Sequence, residues 1–506
     1  MNKSHQIVHN HVHIKAWHGE ELGFQGANKT DVLGRLCDDS RLIQHGDTFL
    51  CLPRAGNESA HFITQAIQQG ASAVVKVGEP VACDVMMLCL PDMQALGQFL
   101  RRYFETENTF TRCIGVTGTD GKTSVAWMLR QALERHLGKA WSSGTLGWML
   151  SLETCHDLGN TTPSLLTMHY LLAAAHQANI PVWVMEVSSH GIEQQRMAGI
   201  PIDTAIWTTL GHDHLQDHGG FDNYANLKST FIHELMLHGH EVIINAQQTA
   251  ILKRLHADNW KGYMPKHTPF DAMLINTLQQ ADMMQWEVIE NACLTLTYHD
   301  EQVVLHDVPV GQFHAENLAA VAQLLKQQWG MSLTDIAACL SDMPAPLGRM
   351  EAVKNSQNLQ VYVDYAHTPE GLQACLQSAR ALTDARLMVV FGCGGNRDVS
   401  KRAEMGAVAE TFADKVWLTS DNPRDEEPEI IIADVLQGLN RQKLRIFVNR
   451  ADAIADALNH MGKDDVLVIA GKGHENYMEI KGQRTPWHDA TWVKQCLDSS
   501  GQKSCV

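Results

Sequence analysis

The sequence predicts an α/β protein of three domains, the last of which is a Rossmann-like, doubly wound parallel sheet. The chain has 506 residues, which is more than one hydrophobic core usually serves. Short apolar runs alternate with helical patterns along most of the chain, and this alternation is typical of parallel sheets. A glycine-rich loop also joins an apolar strand to a helix near residue 120. We expect domains at residues 1–108, 109–345 and 346–506.

The first domain carries apolar runs at Thr48 to Leu52 and Ala73 to Val75, with a helical stretch from Phe62 to Gln69 between them. This pattern predicts a small α/β unit. In the central domain, strand-like runs cover Val182 to Val187, Ala205 to Leu210 and Glu241 to Ala246. Polar residues follow each run, and parallel sheets bind ligands at the carboxyl ends of their strands. We therefore expect Glu186, Ser188 and His214 to converge on one crevice.

The central domain opens with a strand that runs from Cys113 into a glycine-rich turn and ends in Gly121-Lys122-Thr123-Ser124. Glycines let backbone N–H groups face phosphate oxygens, Lys122 adds a charge, and Thr123 offers a hydroxyl to Mg²⁺. The spacing is a variant of the P-loop, because five residues follow Gly115 and two follow Gly118 before Gly121. The loop predicts a P-loop-type site for a nucleoside triphosphate. The alternative is a purely structural glycine turn.

Five apolar strands separated by helical patterns predict the doubly wound sheet of the third domain. They are Gln360 to Tyr365, Leu387 to Phe391, Val416 to Ser420, Arg445 to Val448 and Val466 to Ala470. The polar clusters that follow them are Asp364 to His367, Gly392 to Arg397, Asp421 to Arg424 and Gly471 to Glu475. Because these clusters share one sheet edge, they predict a second pocket. The best linker candidate is Ala345 to Gly348.

The charge composition argues against some classes of binding partner. Forty basic and fifty-seven acidic residues give a net charge of −17, which argues against binding to nucleic acid or to an anionic membrane. No apolar targeting segment opens the sequence, so we expect a cytoplasmic protein without membrane insertion. We also expect a monomer. Twelve cysteines occur without a Cys-x-x-Cys pair and predict reduced thiols.

Three features have an alternative explanation that involves no function. His9, His11 and His13 alternate like chelating histidines, but no acidic or cysteine partner follows nearby, so we expect no built metal site there. Glu186, taken alone, is more typical of a satisfied structural group than of a metal ligand. Lys228 lies in a helical pattern, where a lone lysine is usually solvated.

In order and spacing, the motifs resemble those of the Mur ligase family. They are most similar to the members that add meso-diaminopimelate to UDP-N-acetylmuramoyl-L-alanyl-D-glutamate. The resemblance spans nearly the whole chain. Its segments are Asp39 to Arg41, Gly46 to Phe49, Gly118 to Ser124, Asn160 to Pro163, Glu186 to Gly191, Asp213 to Leu215, Lys228, Gly348 to Glu351 and the four C-terminal clusters.

The resemblance implies an ATP-dependent, amide-forming ligase of peptidoglycan precursor synthesis. Such an enzyme converts the substrate carboxylate to an acyl phosphate, which the amine then attacks through a tetrahedral intermediate. The implied cofactors are ATP, Mg²⁺ and a carbamate that CO₂ forms on Lys228, which turns an ammonium into a metal-binding anion. The implied partners are UDP-N-acetylmuramoyl-dipeptide and meso-diaminopimelate.

The resemblance also assigns residues. Catalytic roles fall to Lys122, Glu186, His214 and Lys228, and Mg²⁺ ligation falls to Thr123, Glu186, His214 and carbamylated Lys228. ATP binding falls to Gly118, Thr119, Asp120, Gly121, Lys122, Thr123, Ser124, Asn317, Arg349 and Asp364. Binding of the UDP substrate falls to Ser40, Asn57, Thr161, Thr162, Ser188, Gln194 and Arg196. Diaminopimelate binding falls to Arg397, Asp421, Asn422, Pro423, Arg424, Gly471 and Glu475.

The choice of amino acid depends on Arg424. Diaminopimelate differs from lysine by one distal carboxylate, which a guanidinium can hold through two parallel hydrogen bonds. Pro423 stiffens the loop, and Glu475 is placed by the resemblance to accept from the distal ammonium. The alternative for this segment is a surface turn capped by Asp421, with the Arg424 side chain in solvent.

Four positions depart from the family pattern around the expected ATP site. Asp120 and Thr209 each replace an Asn, Gln247-Gln248 replaces an acidic pair, and His314 replaces the first Asn of an element whose second is Asn317. An aspartate near phosphates is repulsive by about 1 kcal/mol or more at partial burial. Two alternatives stay open: a paralogue that adds lysine or another amino acid, and a non-catalytic relative that binds the nucleotide sugar. The altered ATP pocket supports only the second.

Overall fold

A computed structural model describes residues 11–24, 31–53, 58–211, 218–255, 260–266, 282–290, 292–440 and 443–501. The chain divides into two compact units, one of residues 1–262 with 270–280 and one of residues 263–269 with 281–506. The predicted α/β class is confirmed, since helices alternate with mainly parallel strands in both units. The boundaries of the three expected domains stay a prediction.

The first unit begins with a four-stranded parallel sheet in the order β1-β2-β3-β4. Its strands are β1 (Leu36–Cys37), β2 (Thr48–Cys51), β3 (Ala73–Val77) and β4 (Met86–Leu90), and its helices are α1 (Glu58–Gln68) and α2 (Met93–Tyr103). The two predicted strands and the helix between them are present. Asp92 caps α2 by accepting a hydrogen bond from the Ala95 N–H.

The larger sheet of the first unit places β5 between β9 and β10. Its elements are β5 (Arg112–Thr117), α3 (Lys122–Leu137), β6 (Trp141–Gly144), β7 (Gly147–Met149), β8 (Cys155–His156), α4 (Leu165–Gln177), β9 (Val182–Glu186), α5 (Ser189–Glu193), β10 (Ile202–Trp207), α6 (Phe221–Leu237), β11 (Val242–Asn245) and α7 (Thr249–Leu252). The order β11-β10-β5-β9-β6 is parallel, and β7 and β8 extend it antiparallel. The carboxyl ends of five neighbouring strands therefore share one edge.

Strand β10 starts and ends three residues earlier than the sequence pattern predicts. The Thr208 hydroxyl donates to the Asp120 carbonyl at 2.5 Å, and the Asp120 N–H donates to Thr209 Oγ1 at 2.8 Å. Both threonines thus bond to the glycine-rich loop. Apolar periodicity alone does not reveal this change of partner.

The two sheets of the first unit share one hydrophobic core, which includes Leu96, Phe99 and Tyr170. A close backbone contact forms where Gly97 of α2 meets Gly199. A Cβ atom added at Gly97 would lie 2.5 Å from the Gly199 nitrogen, so neither position has room for a side chain. Glycine at both positions therefore permits this contact.

The second unit starts with strands that the sequence analysis did not identify. Strand β12 (Trp260–Pro265) crosses the boundary between the units and pairs in parallel with β13 (Met284–Glu290). Strands β14 (Cys293–Tyr298) and β15 (Glu301–Leu305) continue as an antiparallel meander, followed by helices α8 (Gln312–Trp329) and α9 (Leu333–Leu340). The sequence analysis missed these strands because they lie outside the β-α alternation on which its predictions were based.

The C-terminal sheet confirms the predicted doubly wound arrangement. Its elements are β16 (Glu351–Ala352), β17 (Gln360–Asp364), α10 (Pro369–Arg380), β18 (Leu387–Phe391), α11 (Ser400–Phe412), β19 (Lys415–Leu418), α12 (Pro428–Val435), β20 (Leu444–Ile446), α13 (Arg450–Asn459), β21 (Val466–Ala470), the hairpin β22 (Tyr477–Ile480) and β23 (Gln483–Pro486), and α14 (Asp489–Gly501). The order is β16-β17-β21-β18-β19-β20, parallel except for β16, with a buried apolar cluster on each face.

Across the described ranges, no helix combines the length and apolarity needed to cross a bilayer.

Arg450 and Asp489 form a buried ion pair that joins α13 to α14. The Arg450 guanidinium donates to both Asp489 oxygens, at 2.9 and 2.7 Å, and a third bond reaches the Ala470 carbonyl at the end of β21. Both side chains are at most 1% exposed. Burial raises the pKa of Asp489, but Arg450 and the Trp487 N–H hold it below its ordinary value. Its stabilising effect is therefore present above the ordinary aspartate pKa and is lost as the pH falls through the lowered one.

We expect Asp489→Ala to lower the free energy of unfolding by about 3–5 kcal/mol, because it leaves a buried guanidinium without its counterion. Urea denaturation followed by tryptophan fluorescence measures this loss. The control is Arg445→Ala, which breaks a half-exposed pair with Asp456 and costs about 0–1 kcal/mol. Equal losses in the two variants would contradict a stabilising role for the buried pair.

Candidate active site

The glycine-rich loop connects β5 to α3 with two glycines in the left-handed region. Gly121 precedes α3 at φ 84°, and no side chain of the described residues caps this helix. Gly118 has φ 149°, and a Cβ atom there would lie 2.0 Å from Thr208 Oγ1. An uncapped helix N-terminus after such a loop is a feature that binds anions.

Lys122 lies over this loop. Its ammonium donates to the carbonyls of Gly118 and Thr119, at 2.9 and 2.7 Å. The side chain is therefore held at the loop and does not extend into solvent. A cation in this position can neutralise an anion bound by the loop N–H groups.

Glu186, the last residue of β9, is 2% exposed and is surrounded by hydroxyl and amide donors. Its Oε2 accepts from Thr123 Oγ1 at 2.9 Å, and its Oε1 accepts from the Thr145 N–H at 2.8 Å. Burial raises the pKa of this carboxyl, while the Lys122 charge and the hydrogen bonds act in the opposite direction. The side chain thus joins the start of α3 to the segment after β6.

Glu186 and Thr123 fit a magnesium ion in the chemistry of their donors. A carboxylate and a hydroxyl are the hard oxygen ligands that Mg²⁺ prefers, and a nearby cation would stabilise a carboxylate whose pKa burial has raised. Among the residues described, no group of three or more His, Cys, Asp or Glu is placed to hold a metal. His214, a further predicted ligand, lies outside the described residues, as does His9.

Lys228 projects from α6 toward the end of β5. It is 1% exposed, so the solvated alternative does not hold. Its Nζ donates to Thr117 Oγ1 at 3.2 Å and lies 4.9 Å from the centre of the Tyr224 ring. Thr117 is the last residue before the glycine-rich loop. The lysine therefore lies against the base of that loop.

Most residues predicted to bind the UDP substrate form one network beside Glu186. Thr162 Oγ1 donates to the Glu186 carbonyl at 2.8 Å and accepts from the Ser188 N–H at 2.9 Å. Arg196 donates to the Thr162 carbonyl and to Gln194 Oε1. The Thr161 hydroxyl lies 3.1 Å from that of Thr145.

Ser40 and Asn57 belong to a different part of the first unit. The Ser40 hydroxyl donates to Gln65 Oε1 at 2.7 Å, and the residue is 4% exposed. Asn57 lies outside the described residues. Their assignment to the UDP substrate therefore still rests on the family resemblance.

Two site residues escaped the sequence analysis. Thr145 bonds to the Glu186 carboxylate through both its N–H and its hydroxyl, and it follows directly after β6. The pattern that pointed to Glu186, a polar residue at the carboxyl end of a buried strand, could also have identified Thr145. The Tyr224 hydroxyl lies 3.1 Å from Thr119 Oγ1, one helical turn before Lys228, and no sequence signal marked that contact.

Two of the departures from the family pattern contact each other, since Thr209 bonds to the backbone of Asp120 through its hydroxyl. The amide of Gln248, another departure, accepts from the Leu210 N–H at 3.5 Å. These substitutions therefore lie at one corner of the glycine-rich loop.

His314 in the second unit is fully buried. Its Nε2 lies 3.0 Å from the Arg349 carbonyl, and burial lowers the pKa of the imidazole to about 4. The ring is therefore neutral near pH 7 and holds the backbone of Arg349. Asn317, which was predicted to bind ATP, lies one turn further along α8 and is 5% exposed.

Asp364 organises the segment that follows Gly348. Its two oxygens accept the N–H groups of Met350 and Ala366, each at 2.7 Å. Burial raises its pKa, and the positive charge of Arg349 opposes that rise. The Arg349 guanidinium lies 4.8 Å from the centre of the Tyr365 ring. Arg349 and Asp364, both predicted nucleotide contacts, are thus brought together within the second unit.

The predicted diaminopimelate residues meet at the carboxyl ends of β18, β19 and β21. Asn422 Nδ2 donates to Glu475 Oε2 at 2.7 Å, and the fully buried Lys472 donates at 3.0 Å to both Asn422 Oδ1 and Glu475 Oε2. A Cβ atom added to Gly471 would lie 2.5 Å from Asp421 Oδ2. Two loops from separate parts of the chain therefore form one polar cluster.

Arg424 has a left-handed backbone with φ 51°. Its guanidinium donates to the Gly395 carbonyl at 2.7 Å, and its N–H and carbonyl bond to Glu479 and Lys481 of the β22–β23 hairpin. The side chain is half-buried, which contradicts the alternative of an arginine free in solvent. Pro423 beside it is buried, and Arg397 is exposed.

Models of two Mur ligase domains match this chain. A model of the Mur ligase middle domain matches residues 116–325, and a model of the Mur ligase glutamate ligase domain matches residues 348–473. The first match includes the glycine-rich loop and Glu186, and the second includes Arg424 and Lys472. The loop cluster of the first unit and the polar cluster of the second unit therefore each fall within a domain model of one family.

The chain is similar along nearly its full length to curated proteins. It is 31% identical over 474 residues to UDP-N-acetylmuramyl-tripeptide synthetase 2 of Oceanobacillus iheyensis, covering 92% of this chain and 94% of that protein. It is 35% identical over 483 residues to the UDP-N-acetylmuramoyl-L-alanyl-D-glutamate--2,6-diaminopimelate ligase of Pseudomonas aeruginosa, covering 94% and 97%.

A solved structure of a UDP-N-acetylmuramoyl-L-alanyl-D-glutamate--2,6-diaminopimelate ligase superposes with a TM-score of 0.69. It is 27% identical in sequence, and the match covers 96% of this chain and all of the other. The resemblance that the motifs indicated is confirmed by these relatives and by both domain models. The chain belongs to the Mur ligase family.

Proposed function

We propose that this protein is an ATP-dependent ligase that joins meso-diaminopimelate to UDP-N-acetylmuramoyl-L-alanyl-D-glutamate in peptidoglycan precursor synthesis. The relatives whose names specify diaminopimelate support the reaction. The observation that carries the choice of amino acid is the cluster of Arg424, Asn422 and Glu475. Because the reaction consumes ATP and a nucleotide sugar, we assign it to the cytoplasm.

The glycine-rich loop is the proposed site for the ATP phosphates. Lys122 would bind a phosphate oxygen in place of the two loop carbonyls that it now contacts, since phosphate is the stronger acceptor. Its charge would also stabilise negative charge that develops as phosphate moves to the substrate carboxylate. Arg349 and Asp364 are the proposed nucleotide contacts from the second unit.

Thr123 and Glu186 are the proposed protein ligands of Mg²⁺, together with His214. When bound, the ion neutralises phosphate charge and orients the transferred group. Thr145 has a positioning role in this proposal, because it fixes both oxygens of Glu186. Thr162 links the same strand end to Ser188, so substrate and metal ligands share one rigid element.

Lys228 is proposed to carry a carbamate. Lys228 is 1% exposed and lies against the base of the phosphate loop, where a carbamate would supply an anion able to bind a metal ion. The Thr117 hydroxyl, which donates to the Val187 carbonyl at 2.9 Å and lies 3.2 Å from Nζ, can accept from the carbamate N–H.

At the amino-acid cluster, Arg424 is proposed to hold the distal carboxylate and Glu475 the distal ammonium of diaminopimelate. Lys472 holds the Glu475 carboxylate in place through its 3.0 Å bond. Lysine lacks the carboxylate, so its binding would leave the Arg424 guanidinium without a charged partner. That loss accounts for discrimination between the two amino acids.

The proposed reaction is tested by ATP-dependent phosphate release with the UDP-muramoyl-dipeptide and each amino acid. We expect efficient release with meso-diaminopimelate and little with lysine. Arg424→Ala should raise the apparent KM for diaminopimelate by about two orders of magnitude, because it removes the charged partner of a desolvated carboxylate, and should barely change the KM for ATP. The control Arg484→Ala removes an exposed arginine from β23 and should leave both constants unchanged. Equal use of lysine by the wild type would instead favour the lysine-adding alternative.

The carbamate is tested with Lys228→Ala, which should be nearly inactive because the site loses its anion. Acetate or formate should restore part of the activity by occupying the vacated space. Chloride at the same ionic strength is the control and should restore none. Full activity without any added acid would show that Lys228 carries no essential carbamate.

The charge of Asp120 should weaken nucleotide binding. We expect Asp120→Asn to lower the KM for ATP about fivefold, which corresponds to about 1 kcal/mol of relieved repulsion. The control is Asp498→Asn, which removes the same charge from a helix without predicted site residues. An unchanged or higher KM for ATP in Asp120→Asn would show that Asp120 does not repel the nucleotide.

A further inference from the structure

The position of Arg424 depends on two direct contacts and on the packing of two loops. The loop packing involves a buried ion pair that lies away from the predicted substrate contacts. Its guanidinium donates to the Gly395 carbonyl, and its backbone is fixed by the β22–β23 hairpin. The two loops are the segment of residues 394–396 and the segment of residues 422–426, which carries Arg424. How firmly these loops stay together determines where the guanidinium lies.

Several hydrogen bonds join the two loops. The Gly395 N–H donates to the Asn422 carbonyl at 2.9 Å, and Asn396 and Asp425 bond to each other through side chain and backbone. Asn396, like Arg424, has a left-handed backbone, with φ 54°. Residues other than glycine keep this conformation only where the surrounding contacts enforce it.

Glu426 closes the series. Its Oε1 accepts the Asn396 N–H at 2.5 Å and also accepts from Arg402 Nη2 at 2.9 Å. Arg402 projects from α11, is 1% exposed, and reaches the Gly394 carbonyl at 3.5 Å with the same nitrogen. One buried guanidinium therefore holds the carboxylate that pins one loop to the other.

Arg402 has a second carboxylate partner. The ion pairing of Arg402 can therefore be tested separately from its contact with the loops. Asp434 on α12 accepts from Arg402 Nη1 at 2.9 Å, the same distance as for Glu426. The two carboxylate side chains are similarly exposed, at 27% and 29%. Of these two described acids, Glu426 is the one that accepts the Asn396 N–H, so the two form a matched pair for a test.

We propose that the Arg402–Glu426 ion pair positions the Arg424 guanidinium for the distal carboxylate of the amino-acid substrate, and so sets the preference for diaminopimelate over lysine. The substrate in this inference rests on the proposed function. Glu426 acts here as a positioning residue, since its carboxylate is occupied by Arg402 and by the Asn396 N–H. Displacing Arg424 by a fraction of an ångström weakens a two-point grip on a carboxylate far more than it disturbs folding.

The test compares Glu426→Ala with Asp434→Ala in steady-state kinetics. Each variant removes one partner of Arg402, so both should lower the melting temperature to a similar extent. Glu426→Ala should raise the apparent KM for diaminopimelate by at least about tenfold, reduce the preference over lysine, and leave kcat and the KM for ATP nearly unchanged. Asp434→Ala should change the KM for diaminopimelate less than about twofold. Glu426→Gln keeps an acceptor for Asn396 and should recover most of the KM.

Hydrogen–deuterium exchange in the unliganded protein provides a second readout that needs no substrate. Amide exchange in residues 393–397 should accelerate in Glu426→Ala and stay at the wild-type rate in Asp434→Ala. Equal acceleration in both variants, or equal KM changes, would overturn the positioning role and leave only a structural ion pair. If the wild type does not add diaminopimelate but the exchange difference appears, the loop connection stands and the proposed function fails. If Glu426→Ala does not fold, Glu426→Asp, whose shorter side chain cannot reach Asn396 and Arg402 together, replaces it in the exchange and KM comparison with Asp434→Ala.

Discussion

The burial of charged side chains at the carboxyl ends of parallel strands is the constraint on which the rest of the structure depends. Glu186 and Lys228 in the first unit, and Arg402 and Lys472 in the second, are each at most 2% exposed. A buried charge is costly unless partners surround it, so each of these groups draws loops from several strands toward itself. The ordered loops at both sheet edges follow from this requirement.

The two units meet that requirement in different ways. In the first unit, hydroxyl and amide donors surround the Glu186 carboxylate, and the charge that opposes its raised pKa comes from Lys122. This arrangement suits a site that gains a cation when its ligands bind. In the second unit, Lys472 already pairs with Glu475, so the cluster is close to neutral before a substrate enters. Such a cluster suits an amino acid that carries charges of both signs.

The departures from the family pattern also have a physical account. Thr209 and Asp120 are in contact, because the Thr209 hydroxyl bonds to both the N–H and the carbonyl of Asp120. His314 is neutral because burial lowers its pKa, and it bonds to the Arg349 carbonyl without adding a charge beside that arginine. Thr209 and Asp120 lie at the glycine-rich loop of the first unit, which keeps Lys122 and Thr123, whereas His314 lies in the second unit.

The sequence by itself determined the α/β class, the strands β5, β9, β18 and β21, and the polar clusters that follow them. It could do so because a buried parallel strand is a continuous apolar run and because a glycine-rich turn before Lys-Thr has few structural uses. Only the tertiary structure decided which partners each side chain meets. Thr145 reaches Glu186 from 41 residues away, and Arg402 reaches Glu426 across 24 residues. The meander of β13 to β15 and the early end of β10 also escaped the sequence, because long-range pairing and burial, rather than local periodicity, set those limits.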